Sequence, residues 1–438
     1  MEANVHKLLR GNKIRRIFKN TKVWYLLFAS VLLCLLSFSY LPLQIRDTRD
    51  SRLTTLKAET LQFDIYEELK TLAQLQISNW KYARLNKSSV KEFFDKNRDL
   101  YVVEIKNSTV QVPSYVNQSH HFKGNIAKFL ETLDVILKEE NSIEDTFLFL
   151  NLLDEPRVPD RFHCSSSGYL KEIERSHGLP LSFLQSSEEN IGFPVLSSAK
   201  ISACFRDILI PFSELFDRNL LNRLTHLRQN VCQWEPESRL KTALFRGSLT
   251  GWSVDQNRNH RLKVARMCDN EESRSLREYL KKGNFSNLRE KFQDGPICDA
   301  AFIDAMGWLS YADNITSPSF NIPMEHWDQI SYFVLDIDGN SYSKRLATLC
   351  FLDTNIIRVG MFDDILLLLL RHGRDYYHVA PDFSDFFSSI ENLRSDWDLS
   401  QQMCLNKFER CRRVLTFEAM KYYTKVLLEL YSSNVHFV

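Results

Sequence analysis

Seven short apolar runs, at residues 146–153, 193–196, 242–245, 300–303, 332–337, 356–359 and 376–379, alternate with amphipathic stretches, and this order constrains the fold more than composition does. Short apolar runs bounded by turn signals suit strands buried on both faces. Helical patterns fall at 212–229, 273–281, 363–371, 383–393, 399–408 and 415–431. Strands alternating with helices predict an α/β fold of parallel sheets with helical crossovers, and 438 residues suffice for two such sheets. The leucines at 366–370 are too few to span a bilayer and read as a buried helix face.

In open α/β sheets, ligands gather beyond the carboxyl ends of strands. Four of the runs end in polar residues: Asp154-Glu155-Pro156, Ser197-Ser198, Arg246-Gly247-Ser248 and Asp338-Gly339-Asn340. The third, preceded by Phe245, and the last, which continues Ser341-Tyr342-Ser343-Lys344-Arg345, combine arginine, glycine and hydroxyl side chains. A diphosphate needs fixed positive charge with planar donors, small residues that let the backbone approach, and hydroxyls for its remaining oxygens. Arg246 and Arg345 are the candidate cations, and Ser248, Asn340, Ser341 and Ser343 the candidate donors. With 56 lysines and arginines in the chain, surface ion pairing is the competing role for each cation, and for Lys344 solvent is the better choice. Asp154, Ser197 and Ser198 would line the facing wall, where Asp154 either accepts a proton from an incoming hydroxyl or caps the turn before Pro156.

Other charged motifs read more plainly. Asp336-Ile337-Asp338 places two carboxylates on one face of a strand, so chelation is geometrically possible, but Asp338 leads into the glycine turn and Arg345 supplies the positive charge; no metal is expected. His163, His226, His260, His326, His372 and His378 lack zinc-site spacing. Arg258-Asn259-His260-Arg261 reads as a solvated basic face in preference to a helix opening under phosphates, and Ser165-Ser166-Ser167-Gly168 as a solvated loop. A net charge of +1 argues against nucleic acid as a partner.

The N-terminus differs from the rest. Lys7, Arg10, Lys13, Arg15, Arg16, Lys19 and Lys22 precede an uncharged apolar stretch at 23–43, the length of one bilayer crossing, followed by mixed charges. Cations before the span predict a cytosolic tail at 1–22, an uncleaved anchor at 23–43 and a lumenal remainder, in preference to a cleaved signal peptide. Sequons at Asn86, Asn107, Asn117, Asn284 and Asn314 all follow the span. Eight cysteines also follow it, without zinc spacing, so disulfides are expected, with 105 possible connectivities. Residues 44–84 read as a helical stem, and the absence of a KDEL-like ending favours Golgi over soluble retention in the endoplasmic reticulum.

Four segments, in order, carry a family resemblance: 151–159 around Asp154-Glu155-Pro156, Phe193-Pro194-Val195-Leu196-Ser197-Ser198-Ala199-Lys200, Phe245-Arg246-Gly247-Ser248, and Ile337 to Arg345 with Arg374-Asp375-Tyr376-Tyr377-His378-Val379-Ala380-Pro381 and Asp385 beyond it. Together they resemble the CAP-type, Rumi-like glycosyltransferases of glycosyltransferase family 90, over roughly residues 141–430. The resemblance implies a GT-B-like arrangement of two Rossmann-like domains facing across a cleft, here an acceptor-side domain at 85–235 and a donor-side domain at 236–438. It further implies inverting, metal-independent transfer of glucose or xylose from UDP-glucose or UDP-xylose to a glycan or glycoprotein. Asp154 would be the general base, Arg246, Ser248, Asn340, Ser341, Ser343 and Arg345 the UDP-sugar contacts, and Ser197 and Ser198 the acceptor side, with no cofactor beyond the donor. Where many relatives place a cysteine before the Asp-Gly-Asn loop this chain has Glu325-His326-Trp327, so Cys350 pairs elsewhere or stays free. A catalytically silent, glycan-binding relative is the alternative. A hydrolase using Asp154 and Glu155 is disfavoured, because adjacent residues on an extended chain point apart.

Overall fold

Each of the seven apolar runs forms a strand in the computed structural model, which describes residues 65–96, 100–113, 127–139, 142–151, 156–160, 164, 193–226, 232, 234–235, 238–251, 257–283, 285, 287–305 and 321–438. The first sheet contains β2 (Leu100–Lys106), β3 (Thr109–Gln111), β4 (Thr146–Asn151), β5 (Val195–Ser197) and β6 (Ile208–Leu209), after a short β1 (Ala83–Leu85) outside it. Its order is β3-β2-β4-β5-β6, antiparallel at β3/β2 and β2/β4 and parallel at β4/β5 and β5/β6. All six residues of β4 are buried, as a strand covered on both faces requires.

The second sheet is wholly parallel: β7 (Leu240–Leu249), β8 (Cys298–Ala305), β9 (Ser331–Ile337), β10 (Asn355–Val359) and β11 (Tyr377–His378). The spatial order β11-β10-β9-β7-β8 is the doubly wound order 2-1-3-4-5, compatible with a Rossmann-like fold. Chain direction reverses across the sheet between β7 and β9, which opens a crevice at their carboxyl ends. The leucine run lies in the helix Ile365–Leu369, where Ile365, Leu366, Leu367 and Leu369 are buried.

Two expected boundaries are corrected. Residues 65–84 are not a stem: Leu69, Ala73 and Ile77 of the helix Ile65–Ile77 are buried, and that helix packs on the C-terminal helix Phe417–Asn434. Nor do the last helices belong only with the second sheet. Tyr423 donates its hydroxyl to the carbonyl of Leu209 and Tyr431 to that of Phe147, each at 2.8 Å, and β12 (Val435–Phe437) pairs with β1. Residues 65–438 form one compact unit. The tail, the anchor and residues 44–64 lie outside the described residues, among which no helix is long and apolar enough to cross a membrane.

All eight cysteines after the apolar stretch are paired: Cys164–Cys204, Cys232–Cys404, Cys268–Cys298 and Cys350–Cys411. Each such link typically stabilises by roughly 2–4 kcal/mol. Cys232–Cys404 closes the longest loop, 172 residues, and ties the helix Trp397–Val414 to the approach to β7. Asn86 and Asn107 are exposed; Asn117, Asn284 and Asn314 lie outside the described residues.

Candidate functional site: an anion pocket at the sheet reversal

A pocket of about 410 Å³ opens where the second sheet reverses. Its lining includes residues 246–248 at the end of β7 with Thr250 just after it, Arg261, and 339–345 after β9; Ile303, Asn321, Ile322, Met324 and Trp327 form a second, largely apolar wall. Both predicted clusters therefore meet at one place, a size ordinary for small-ligand sites.

Arg345 is the clearest cation in it. Its Nη1 donates to the carbonyl of Arg246 at 3.2 Å, Nη2 to that of Ile337 at 2.8 Å and Nε to Ser343 Oγ at 3.4 Å. No carboxylate forms an ion pair with it among the described residues, and the hydrogen bonds that hold it there go to two carbonyls and a hydroxyl. Burial lowers its pKa from the usual guanidinium value, with Asp336 opposing the shift. Arg345 also lies over the Phe245 ring, 4.6 Å from the centroid, which fixes the plane of the fork.

Arg246 behaves differently from expectation. β7 runs to Leu249, four residues past the predicted end, so Arg246 is a strand residue and its side chain meets the neighbouring β8. Its guanidinium is buried in an ion pair with Asp299, whose other oxygen lies 3.0 Å from Arg277 Nε. The assignment of this guanidinium to the diphosphate is corrected: towards Arg345 it offers only a main-chain carbonyl.

Arg261, expected on a solvated face, lines the pocket instead. This residue is 7% exposed, near the start of the helix His260–Met267. Its Nη1 donates to the Ser248 carbonyl at 2.7 Å and to Thr250 Oγ1 at 2.5 Å, and Nε to the Asp338 carbonyl at 2.9 Å. Arg261 thus staples both clusters together, and it lies 5.6 Å from the Phe245 centroid. The available sequence signal was the apolar spacing of Leu262, Val264 and Ala265, all buried, which turns Arg261 inward.

Among the proposed donors, Ser341 is 2% exposed and its hydroxyl has no hydrogen-bond partner among the described residues, although it lines the pocket. A buried hydroxyl left open in a polar crevice is what a bound oxygen would complete. Ser343 is buried, Ser248 half-buried, and Asn340 exposed, with its Oδ1 accepting from the Gly251 amide at 3.3 Å. Lys344 is exposed and 3.5 Å from Glu214.

Gly247 has a steric reason. A Cβ there would meet Arg345 Nη1 at 2.8 Å and Phe245 Cζ at 3.0 Å. Gly247→Ala is expected to push the guanidinium aside and weaken the binding of a diphosphate anion offered to the pocket about tenfold, with an unchanged melting temperature. Calorimetric titration alongside a thermal melt checks this.

Asp336 and Asp338 do not face the pocket as a pair. Both are buried against Arg358, whose Nη1 lies 3.1 Å from Asp336 Oδ2 and whose Nη2 pairs with Asp338. The Asp338 carboxyl also accepts from the amides of Met361 at 2.7 Å and Phe362 at 3.2 Å. Burial pushes its pKa up to about 6, against the pull of Arg358 and those amides. Elsewhere among the described residues, Cys232, Asp353 and Cys404 bring ligand atoms within 4.8 Å of one another, but the two cysteines are joined as a disulfide.

On the other side, β4, β5 and β6 run parallel, so their carboxyl ends share an edge. That edge touches the pocket loops: the Phe212 and Tyr342 rings are 5.1 Å apart, Glu214 reaches Lys344, and the backbones of Lys200 and Asp363 pair. Asp154 lies outside the described residues; Asn151 and residues 156–158 flank it. Ser197, assigned to an acceptor, is fully buried, and its hydroxyl donates to Asp207 at 2.6 Å, which corrects that role. Ser198 is half-buried at the strand end.

No family model matches the chain. It is similar to uncharacterized protein 035R of Invertebrate iridescent virus 3, at 23% identity over 334 residues. That match covers 72% of this chain and 27% of the viral protein, so the chain spans about a quarter of its relative's length.

Proposed function

We propose that the chain is a UDP-sugar-dependent glycosyltransferase of the GT-B type and a relative of glycosyltransferase family 90. In this reading it moves glucose or xylose to a hydroxyl of a glycan or glycoprotein, with inversion and without a metal. One observation supports this most: Arg345, which among the described residues has no carboxylate in ion-pair contact, shares a crevice with the Ser341 hydroxyl, which has no hydrogen-bond partner among them, at the reversal of a doubly wound parallel sheet. That combination suits a diphosphate whose charge grows as the glycosidic bond breaks. Asp154, by its place after β4, takes the proton from the acceptor hydroxyl as the oxygen attacks the anomeric carbon opposite UDP. The four disulfides fit an oxidising compartment, and with the apolar stretch at 23–43 they support a lumenal, membrane-anchored enzyme of the Golgi or endoplasmic reticulum.

The test uses the full-length chain in detergent with UDP-glucose or UDP-xylose. Release of UDP that depends on an added p-nitrophenyl glycoside acceptor is the expected result; UDP binding without turnover would favour the silent relative. Arg345→Ala is expected to weaken UDP binding by about 2 kcal/mol, roughly 30-fold, since it deletes charge-assisted hydrogen bonds. Calorimetry reads that loss, and an unaltered affinity would remove Arg345 from the site.

A further inference from the structure

Two of the sequons, at Asn86 and Asn107, fall on described residues, and their local geometry differs. Asn86-Lys87-Ser88 leaves β1 and leads into the helix Ser89–Lys96, with all three residues exposed. The Ser88 amide donates to Asn86 Oδ1 at 3.0 Å and the Ser88 hydroxyl donates to the same oxygen at 2.8 Å, while the Ser89 amide donates to the Asn86 carbonyl at 3.0 Å. This is an Asx turn closed by the residues of the motif itself. Both donors to Oδ1 draw electron density from the side-chain amide and make its N–H groups more acidic. Asn86 Nδ2 has no hydrogen-bond partner among the described residues.

Asn107-Ser108-Thr109 is the hairpin turn between β2 and β3, with Asn107 and Ser108 at φ 48° and 56°. There the motif hydroxyl is engaged elsewhere. Thr109 Oγ1 donates to the Lys106 carbonyl at 2.6 Å and accepts from Gln111 Nε2 at 3.2 Å, and the Asn107 amide donates to Asp145 Oδ1 at 2.8 Å. Both asparagines are exposed, so the partner of the hydroxyl, not access, separates them. Each turn is made by neighbouring residues and forms within microseconds, long before a ribosome adding roughly 5–20 residues per second completes the chain.

We infer that Asn86 is a glycan attachment site, filled in preference to Asn107 by an oligosaccharide from a polyprenyl diphosphate donor. The inference rests on the lumenal placement proposed above. In the transfer, Asn86 Nδ2 bonds to the anomeric carbon of the donor's first sugar and loses one proton, and the bond from that carbon to the diphosphate oxygen breaks, its electron pair leaving with the diphosphate. The attached branch stands beside an open edge: among the described residues β1 pairs with β12 alone, and the Lys87 amide donates to the carbonyl of Val438, itself 74% exposed, at 2.9 Å. Bare strand edges invite pairing with other chains, which a bulky hydrated branch obstructs.

The full-length chain, expressed in mammalian cells, is treated with peptide N-glycosidase F in heavy-oxygen water and mapped by mass spectrometry, so that each formerly glycosylated asparagine appears as labelled aspartate. The expected result is label at Asn86, at higher occupancy than at Asn107. Asn86→Gln is expected to lose one mobility step on a denaturing gel, Ser88→Ala to lose the same step, and Ser88→Thr to retain it. An unlabelled Asn86 beside labelled sequons elsewhere, or label at Asn107 equal to or above that at Asn86, overturns the inference. Absence of label at every sequon overturns the lumenal placement and this inference with it, so the two failures are distinguishable.

Discussion

Asp154→Asn is expected to lower acceptor-dependent UDP release by roughly a thousandfold while leaving UDP affinity within a few-fold of wild type. Asparagine keeps the shape of aspartate but cannot accept the proton of the attacking hydroxyl. The pocket proposed for the diphosphate belongs to β7 and β9 of the second sheet, whereas Asp154 follows β4 of the first, so binding and proton transfer should separate cleanly. Measuring kcat beside the UDP dissociation constant makes the comparison. Full turnover in the variant would leave Asp154 as a turn residue before Pro156, and loss of UDP binding would mean that the two walls are misassigned.

The largest stability effect is expected at Arg358. It is 1% exposed and sits among Asp336, Asp338 and Asp364, themselves 0–1% exposed. Burial alone would lower its pKa, but Asp338, Asp336 and Asp364 more than offset that and hold it above the usual value. Arg358→Ala leaves those carboxyls buried without their cation, and removing one partner of such a cluster costs about 3–5 kcal/mol. The sign with pH follows from the acids. Burial already pushes Asp338 up to about 6 and Asp364 up to about 7, above their unfolded values, so ionising them opposes folding as pH rises. Without Arg358 that opposition grows, and the deficit should be smaller near about pH 5 than near about pH 8. Urea unfolding of both chains at the two pH values reads it; an equal deficit at each would place the loss in packing instead.

The sequence was most informative where local chemistry and fold agree. All seven apolar runs form strands because a strand covered on both faces calls for apolar side chains, and the sheet reversal then brings 246–248 and 339–345 together. Arg246 was misread because strand length depends on the neighbour: β8 extends alongside and presents Asp299, so the arginine is held inside the sheet. Arg261 was missed since a run of polar letters hides which one the helix turns inward. The hairpin β2–β3 was overlooked although Asn107 and Ser108, at φ 48° and 56°, supply its turn. The helix Ile65–Ile77 was taken for a stem because its partner, Phe417–Asn434, lies some 340 residues away in the chain, beyond any local pattern. The disulfide pairing likewise depends on contacts that spacing does not encode.

The central claim is that the crevice between β7 and β9 holds a diphosphate on Arg345. Titrating UDP into the full-length wild-type chain and into Arg345→Ala side by side tests it most directly. Saturable one-to-one binding by the wild type, weakened in the variant at unchanged melting temperature, is the predicted result. No saturable binding to the wild type, or the same affinity in both chains, would contradict it.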